Sequence, residues 1–249
     1  MVGRPGWPVK AAPVSALGVA MLSLFLAGLS FVAIHALVSG TPLRGKLVAK
    51  LGEGPYMGLF SVASAGALFW LILAYGRAPH VELWGDVVVL KHLSIALTLP
   101  AVLLAVLAFS TPNPTAAGGE KALRREEPAI GIIKVTRHPF LVGVTIWAVA
   151  HVLANGDLAS LILFGTFLVL SLIGPPQIDA KRAARDPEGW ARFATVTSWL
   201  PFGAIAQGRT KVGWAEIGLR RAAIGVAVYL AILLYLHDWA FGTVPHPFF

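Results

Sequence analysis

The chain has 249 residues, 57% of them hydrophobic and 13% charged, with a mean hydropathy of +0.74. A soluble domain carries roughly 25% charged residues, so this composition excludes a water-soluble enzyme and places the chain in a bilayer. The net charge of +8 does not point to nucleic acid, because the basic residues lie between apolar runs. The lack of cysteine excludes disulfides, thiolate metal sites, thiol nucleophiles and a Cys-ligated heme.

Six apolar runs follow in chain order, at residues 14–38, 56–76, 87–110, 139–154, 158–174 and 217–241. A helix needs roughly 20 apolar residues to cross a bilayer, and the fourth run is short by that standard. The runs are continuous rather than alternating, which excludes the strands of a membrane β-barrel. The expected fold is therefore an all-α, integral membrane bundle of about six spans, a single domain over residues 1–249. A first apolar run long enough to stay in the membrane argues against a cleaved leader.

The charges set an orientation. Of the 20 lysines and arginines, 16 fall after the first, third and fifth runs, and 4 (Arg4, Lys10, Arg77 and Lys91) fall on the other side. The positive-inside rule places the sixteen in the cytoplasm and both termini outside. A bacterial inner membrane, crossed several times, is the expected location. Between the third and fourth runs, residues 111–137 read as a Pro/Gly-rich, then charged, cytoplasmic loop. In residues 177–207, Trp190, Phe193, Trp199 and Phe202 alternate with charges in a way that fits a helix lying on the cytoplasmic membrane surface, and an ordinary amphipathic connector is the favoured reading.

Histidines are the candidate chemistry, since ionisable groups inside a membrane are costly and usually face a bundle interior. His80 and His246 belong to an outer loop and tail and are expected to be solvated, and His237 is expected at the outer interface. The other four sort by depth into an inner pair, His35 and His138, and an outer pair, His92 and His151. His138 and His151 lie on one helix but about 19.5 Å apart and about 140° around its axis, so they cannot share an ion. His151, in an apolar stretch, is either a core histidine bonded to a backbone carbonyl or a neutral axial ligand for heme. Arg137 and His138 precede Pro139 at a helix start, where anions bind readily. They are a candidate anion or cofactor contact, or simply the basic end of a span. Asn155-Gly156-Asp157 reads as a tight turn, with Gly156 at positive φ and Asp157 capping the next helix.

No phosphate-binding loop, HExxH motif or Ser/His/Asp set occurs. Carboxylates fall at span ends, which argues against proton-coupled transport.

Four segments, GEGPYMGLFS, NPTAAGGEKALRREEPAIGIIKVTRHPFLVG, AHVLANGDLASLILFG and WARFATVTSWLPF, together resemble the NnrU family of bacterial membrane proteins. The resemblance covers essentially the whole chain. It implies an association with denitrification and the enzymes that reduce nitrite and nitric oxide. It also implies kinship with 15-cis-ζ-carotene isomerases, which use a histidine-held heme b to isomerise a polyene. On that resemblance the cofactor-binding residues are His35, His92, His138 and His151, and the iron candidates are His151, His35 and His92. Depth pairs His92 with His151, or His35 with His138; His151 is the best single ligand and its partner stays open. Two other readings stand beside a heme-dependent isomerase. One is a cofactor-free factor assisting assembly or regulation. The other is a methyltransferase using S-adenosylmethionine, because RHPFLVG resembles the RHPxYxG element of isoprenylcysteine-type enzymes, with Arg137 in the binding role. Expected partners are the lipid bilayer, a hydrophobic polyene substrate or denitrification enzymes, and no nucleic acid.

Overall fold

The structure is a computed structural model that describes residues 14–245, with the side chains of residues 14–16 left aside; His246 lies outside the described residues. Its elements are all helical. Helix α1 (Val14–Ala33) runs on into a π-helical turn, Ile34–Ser39, and is followed by α2 (Leu43–Leu51), α3 (Glu53–Arg77) and α4 (Val88–Ser110). A 3-10 turn, Glu120–Arg124, and the short α5 (Ile132–Val135) lead into α6 (Pro139–Asn155) and α7 (Leu158–Arg185). Then come α8 (Pro187–Val196), α9 (Gly203–Ala206), α10 (Trp214–Ile217) and α11 (Leu219–Ala231). A second π-helical turn, Ile232–Leu236, leads into α12 (His237–Phe241).

Among the described residues five helical stretches are long and apolar enough to cross a membrane: Leu17–Ser39, Glu53–Arg77, Val88–Ser110, Leu158–Arg185 and Leu219–Phe241. The fourth apolar run forms α6, which has 17 residues, about 25 Å at 1.5 Å per residue. The protein is a multi-pass, all-helical membrane bundle. Two boundaries differ from the sequence reading. Helix α7 does not stop at Gly174 but continues through Pro175 and Pro176 to Arg185. Proline in a helix interior removes a backbone donor; beyond that point Gln177, Asp179 and Lys181 bind neighbouring elements and hold the extension in place. The last span starts at Leu219 because Gly218, at φ +88°, separates it from α10.

Contacts order the long helices as a row: α3, α1, α7, α6, α4, α11. Helices α7 and α6 are the centre of that row, and α3 and α11 its edges. Lipid is as apolar as leucine, so membrane helices associate through close packing of small residues. The α4–α6 contact shows it. Ala101, Ala148 and Ala150 are buried, Ser94 Oγ donates to the Ala150 carbonyl at 2.6 Å, and a Cβ on Gly143 would lie 2.9 Å from the Ala101 carbonyl oxygen. The α1–α7 contact repeats it at Gly28, which faces Thr166.

The two ends of the bundle are built differently. At one end the turn between α6 and α7 forms as the sequence predicts: Gly156 adopts φ +65°, and Asp157 accepts from the Ser160 amide at 2.9 Å. The α3–α4 loop closes over it through Leu83 N to Gly156 O and Leu158 N to Val81 O. At the basic end the connections fold into a cap with its own apolar core of Leu107, Leu123, Ala129, Ile132, Ile133, Val135 and Phe193. This agrees with an ordinary amphipathic connector rather than a helix lying on the membrane surface, since Phe193 is completely buried in the cap, while Trp199 and Phe202 further along are exposed. The alternation of aromatics and charges in α8 marks a face turned toward protein, and protein and lipid interiors select the same apolar residues.

Candidate functional site

Three histidines share one local geometry. His35, His92 and His151 each place Nδ1 2.8 Å from the carbonyl four residues earlier, of Phe31, Val88 and Trp147 respectively. A carbonyl can only accept, so Nδ1 carries the proton, and in the neutral ring Nε2 becomes the lone-pair nitrogen. That tautomer suits a metal ligand whose other nitrogen is held by the backbone. The helix itself sets it, because side chains lean toward the preceding turn.

What lies at Nε2 separates the three. His92 is exposed on the outside of α4. His35, in the π-helical turn after α1, meets Ser64 Oγ at 3.2 Å and packs edge-on against Phe60. His151, half-buried on α6, makes no hydrogen bond through Nε2 among the described residues. Its ring packs on Trp147 and Phe164, each with centroids 4.8 Å away. The ring of His237 approaches His151 to 6.5 Å at an interplanar angle of 27°. His237 Nδ1 is held by the Thr243 carbonyl at 2.9 Å, so its Nε2 is also the lone-pair nitrogen of the neutral ring. The sequence placed His237 at an interface; its role as neighbour to His151 depends on the π-helical turn just before it. An open apolar groove of about 520 Å³, lined by Leu234, Tyr235, Leu236, Asp238 and Trp239, lies on the same segment.

An aromatic row joins the histidines across α1, α7 and α6. Phe31 stands 4.6 Å from His35 and 5.9 Å from Phe167, and Trp147 stands 5.6 Å from Phe167. Since α1 and α6 run in opposite directions, His35 leans toward Phe31 and His151 toward Trp147, so the two side chains lean toward each other from opposite ends of this row. The rings of Phe31, Phe167 and Trp147 stand between the two imidazoles. Neither depth pair is formed directly. His35 faces Ser64 rather than His138, and His151 faces His237 rather than His92. Among the described residues no group of three or more His, Asp or Glu side chains converges as a metal site.

His138 is a different kind of histidine. It is 2% exposed, and its Nε2 lies 2.7 Å from Asp179 Oδ1. Arg137 donates through Nε and a terminal nitrogen to Asp179 Oδ2 at 2.9 and 2.6 Å, and stacks over Trp190 with its guanidinium carbon 5.4 Å from the ring centroid. The amide of Arg137 bonds the Ser198 carbonyl at 2.9 Å, and its own carbonyl accepts from Thr115 Oγ1 at 2.6 Å. The expected outward-facing anion contact at Arg137 and His138 is therefore turned inward, because Asp179 on the extension of α7 already supplies the anion. The signal in the sequence was a single acidic residue after a Pro-Pro step, without its distant partners.

The family model described as NnrU protein matches residues 23–245. The 15-cis-zeta-carotene isomerase, chloroplastic, of Zea mays is 34% identical over 82 residues, which are 33% of this chain and 22% of that protein. The protein of the same description from Arabidopsis thaliana is 34% identical over 79 residues, 32% of this chain and again 22% of the relative. The matched part is thus about a fifth of each relative's length. No solved structure matches the chain.

Proposed function

Since the chain belongs to the NnrU family, we propose that it binds heme b in the bundle through His151 and isomerises a cis double bond of a carotenoid-like polyene in a bacterial inner membrane. The observation that carries this reading is the aromatic row with a backbone-oriented imidazole at each end. His151 fits an iron ligand: its Nδ1 is held by the Trp147 carbonyl, and its Nε2 has no protein partner among the described residues. His138 fits poorly, because it is 2% exposed and enclosed in an ion pair that Asp179 shares with Arg137. A second ligand, if heme is bound, would come from His237, the nearer histidine, or from His35 if the rings of Phe31, Phe167 and Trp147 part, with His92 on α4 as the third candidate.

Bound heme supplies a Lewis-acidic, redox-active iron able to polarise a conjugated chain. The protein's own part is orientation and exclusion of water. Trp147 holds the His151 ring, while Phe31, Phe164 and Phe167 offer apolar faces along which a rigid polyene can lie. The lack of other polar catalytic groups suits a hydrocarbon substrate with no proton to transfer.

An absorption spectrum of protein purified from heme-sufficient cells is the first test. A Soret band that shifts on reduction, lost in His151→Ala, supports the reading; a colourless protein sinks it. Comparing His35→Ala with His237→Ala assigns the second ligand by the change from a low-spin to a high-spin spectrum. Incubation with 15-cis-ζ-carotene and chromatography of the isomers tests the substrate. A heme protein that leaves the polyene unchanged would turn attention to a role beside nitrite and nitric oxide reduction. The methyltransferase alternative loses ground because Asp179 occupies the guanidinium of Arg137.

A further inference from the structure

A second site lies at the basic end, away from the histidines, where α2, the start of α3 and the end of α7 converge. Four cations meet there. Arg44 donates to Glu53 at 2.9 Å. Arg185 reaches Glu53 and Glu120 only at 3.7 Å, and Arg182 pairs with Glu120 through one terminal nitrogen and donates to the Ala116 carbonyl at 2.7 Å through the other, leaving its Nε unpaired among the described residues. Lys181 has no acidic partner among the described residues; its ammonium touches the Ser39 carbonyl at 3.1 Å, within electrostatic reach of Arg44 and Arg182. Four cations against two carboxylates leave an excess of positive charge, with Arg185 exposed and Arg44, Lys181 and Arg182 partly to largely buried.

Two buried side-chain atoms among the described residues have no hydrogen-bond partner, Tyr56 Oη and Arg182 Nε. Both belong to this cluster. Tyr56 is 3% exposed and lies beneath the Arg44 guanidinium, 5.4 Å from ring centroid to Cζ. Leaving a buried donor unsatisfied is costly. Each orphan can donate, so the missing partner is an acceptor. The local charge requires that it be an anion, and forked guanidinium groups favour one with several oxygens. The π-helical turn Ile34–Ser39 helps form the cluster. Its carbonyls at Ala36 and Ser39 accept from Gln177 and Lys181, and π-helical turns recur at functional sites.

We propose that Arg44, Lys181, Arg182 and Tyr56 form a recognition site for a phosphate group at the membrane–water boundary. The site lies at the end that the positive-inside rule assigns to the cytoplasm, where anionic lipid headgroups concentrate. It is independent of heme and of the polyene. The phosphate belongs to a lipid headgroup or to a soluble phosphate, and both bring the same chemistry.

Delipidated full-length protein in neutral detergent provides the test, with thermal unfolding and a binding titration as readouts. The probes are dioleoylphosphatidylglycerol, dioleoylglycerol, which has the same tails without phosphate, and inorganic phosphate. Stabilisation by the phospholipid but not by the other two assigns a headgroup site; stabilisation by inorganic phosphate as well assigns a soluble ligand. In Lys181→Gln/Arg182→Gln the affinity should fall by about tenfold or more, as expected for lost charge-assisted hydrogen bonds. The charge-matched variant Arg220→Gln/Arg221→Gln should keep most of it. No stabilisation of the wild type beyond that by dioleoylglycerol, or equal losses in the two double variants, overturns the site. Should the Lys181/Arg182 variant fail to fold, Tyr56→Phe decides, with roughly threefold weaker binding supporting the site and unchanged affinity overturning it.

Discussion

His138 and His151 stand on the same helix, thirteen residues apart, and the protein treats them in opposite ways. At the basic end His138 is buried and bonded to Asp179, and Arg137 shares that carboxylate. At the other end His151 has its Nδ1 tied to its own helix and its ring packed on aromatic rings near a second histidine. One end is saturated, its imidazole and a neighbouring guanidinium sharing a carboxylate, and the other is open, its imidazole held by its own helix with no acidic partner among the described residues. A histidine in a membrane protein is therefore read by the group that meets it across the packing, more than by its depth or by the residues beside it in sequence. An enclosed ion pair suits a structural joint between α6, α7 and the cap, and an imidazole held only by its own helix suits a ligand.

The largest expected effect breaks the saturated end. Asp179→Ala leaves Arg137 and His138 without their anion, and breaking a buried pair this way costs about 3–5 kcal/mol. Folded yield and thermal unfolding in detergent should both fall sharply, whereas Asp238→Ala, at the exposed far end, should change neither. Stability unaffected by Asp179→Ala would end the contrast between the two ends. Between them, Gly143→Leu drives a side chain against the α4 backbone, where a Cβ already meets Ala101 at 2.9 Å. Overpacking of this kind costs about 1–3 kcal/mol, and should lower the unfolding temperature without removing any bound heme at moderate temperature.

At the open end His151→Ala should change stability by less than about 1 kcal/mol, since apolar burial against lipid gains little. It should nevertheless abolish the heme spectrum. A large loss of stability there, with the spectrum retained, would reverse the assignment of roles.

The smallest effect is at the rim of the cap. Burial raises the Glu216 carboxyl, but the Lys134 ammonium at 2.6 Å and the Gly131 amide at 3.0 Å outweigh it and hold Glu216 below the usual carboxylate range. A depressed folded-state pKa gives stability that is present above the unfolded value, about 4.3. That stability is lost as the pH falls through the folded value. Glu216→Gln should remove this part of the acid sensitivity, by under about 1 kcal/mol for so accessible a pair. Unfolding curves at neutral pH and at about pH 3 check it, and an unchanged acid dependence would exclude Glu216 as a contributor.

Much of this protein is written locally. The apolar runs specify helices that cross a bilayer because run length and the absence of charge decide that outcome without help from distant residues. Gly156 and Asp157 specify their turn and cap for the same reason, as does Pro139 at the first position of α6. Even the Nδ1 bond of His151 is local, since it reaches only one turn back. Partner choice is not local. That Asp179 and not a ligand meets His138, that His237 arrives beside His151, and that Phe193 enters a cap rather than a lipid surface all depend on which helices stand side by side. The order of α3, α1, α7, α6, α4 and α11 is selected by the fit of small residues across each contact, and hydropathy, which is alike for every span, carries no record of it. Only tertiary packing could decide which of two histidines on one helix is closed by a carboxylate and which is left open.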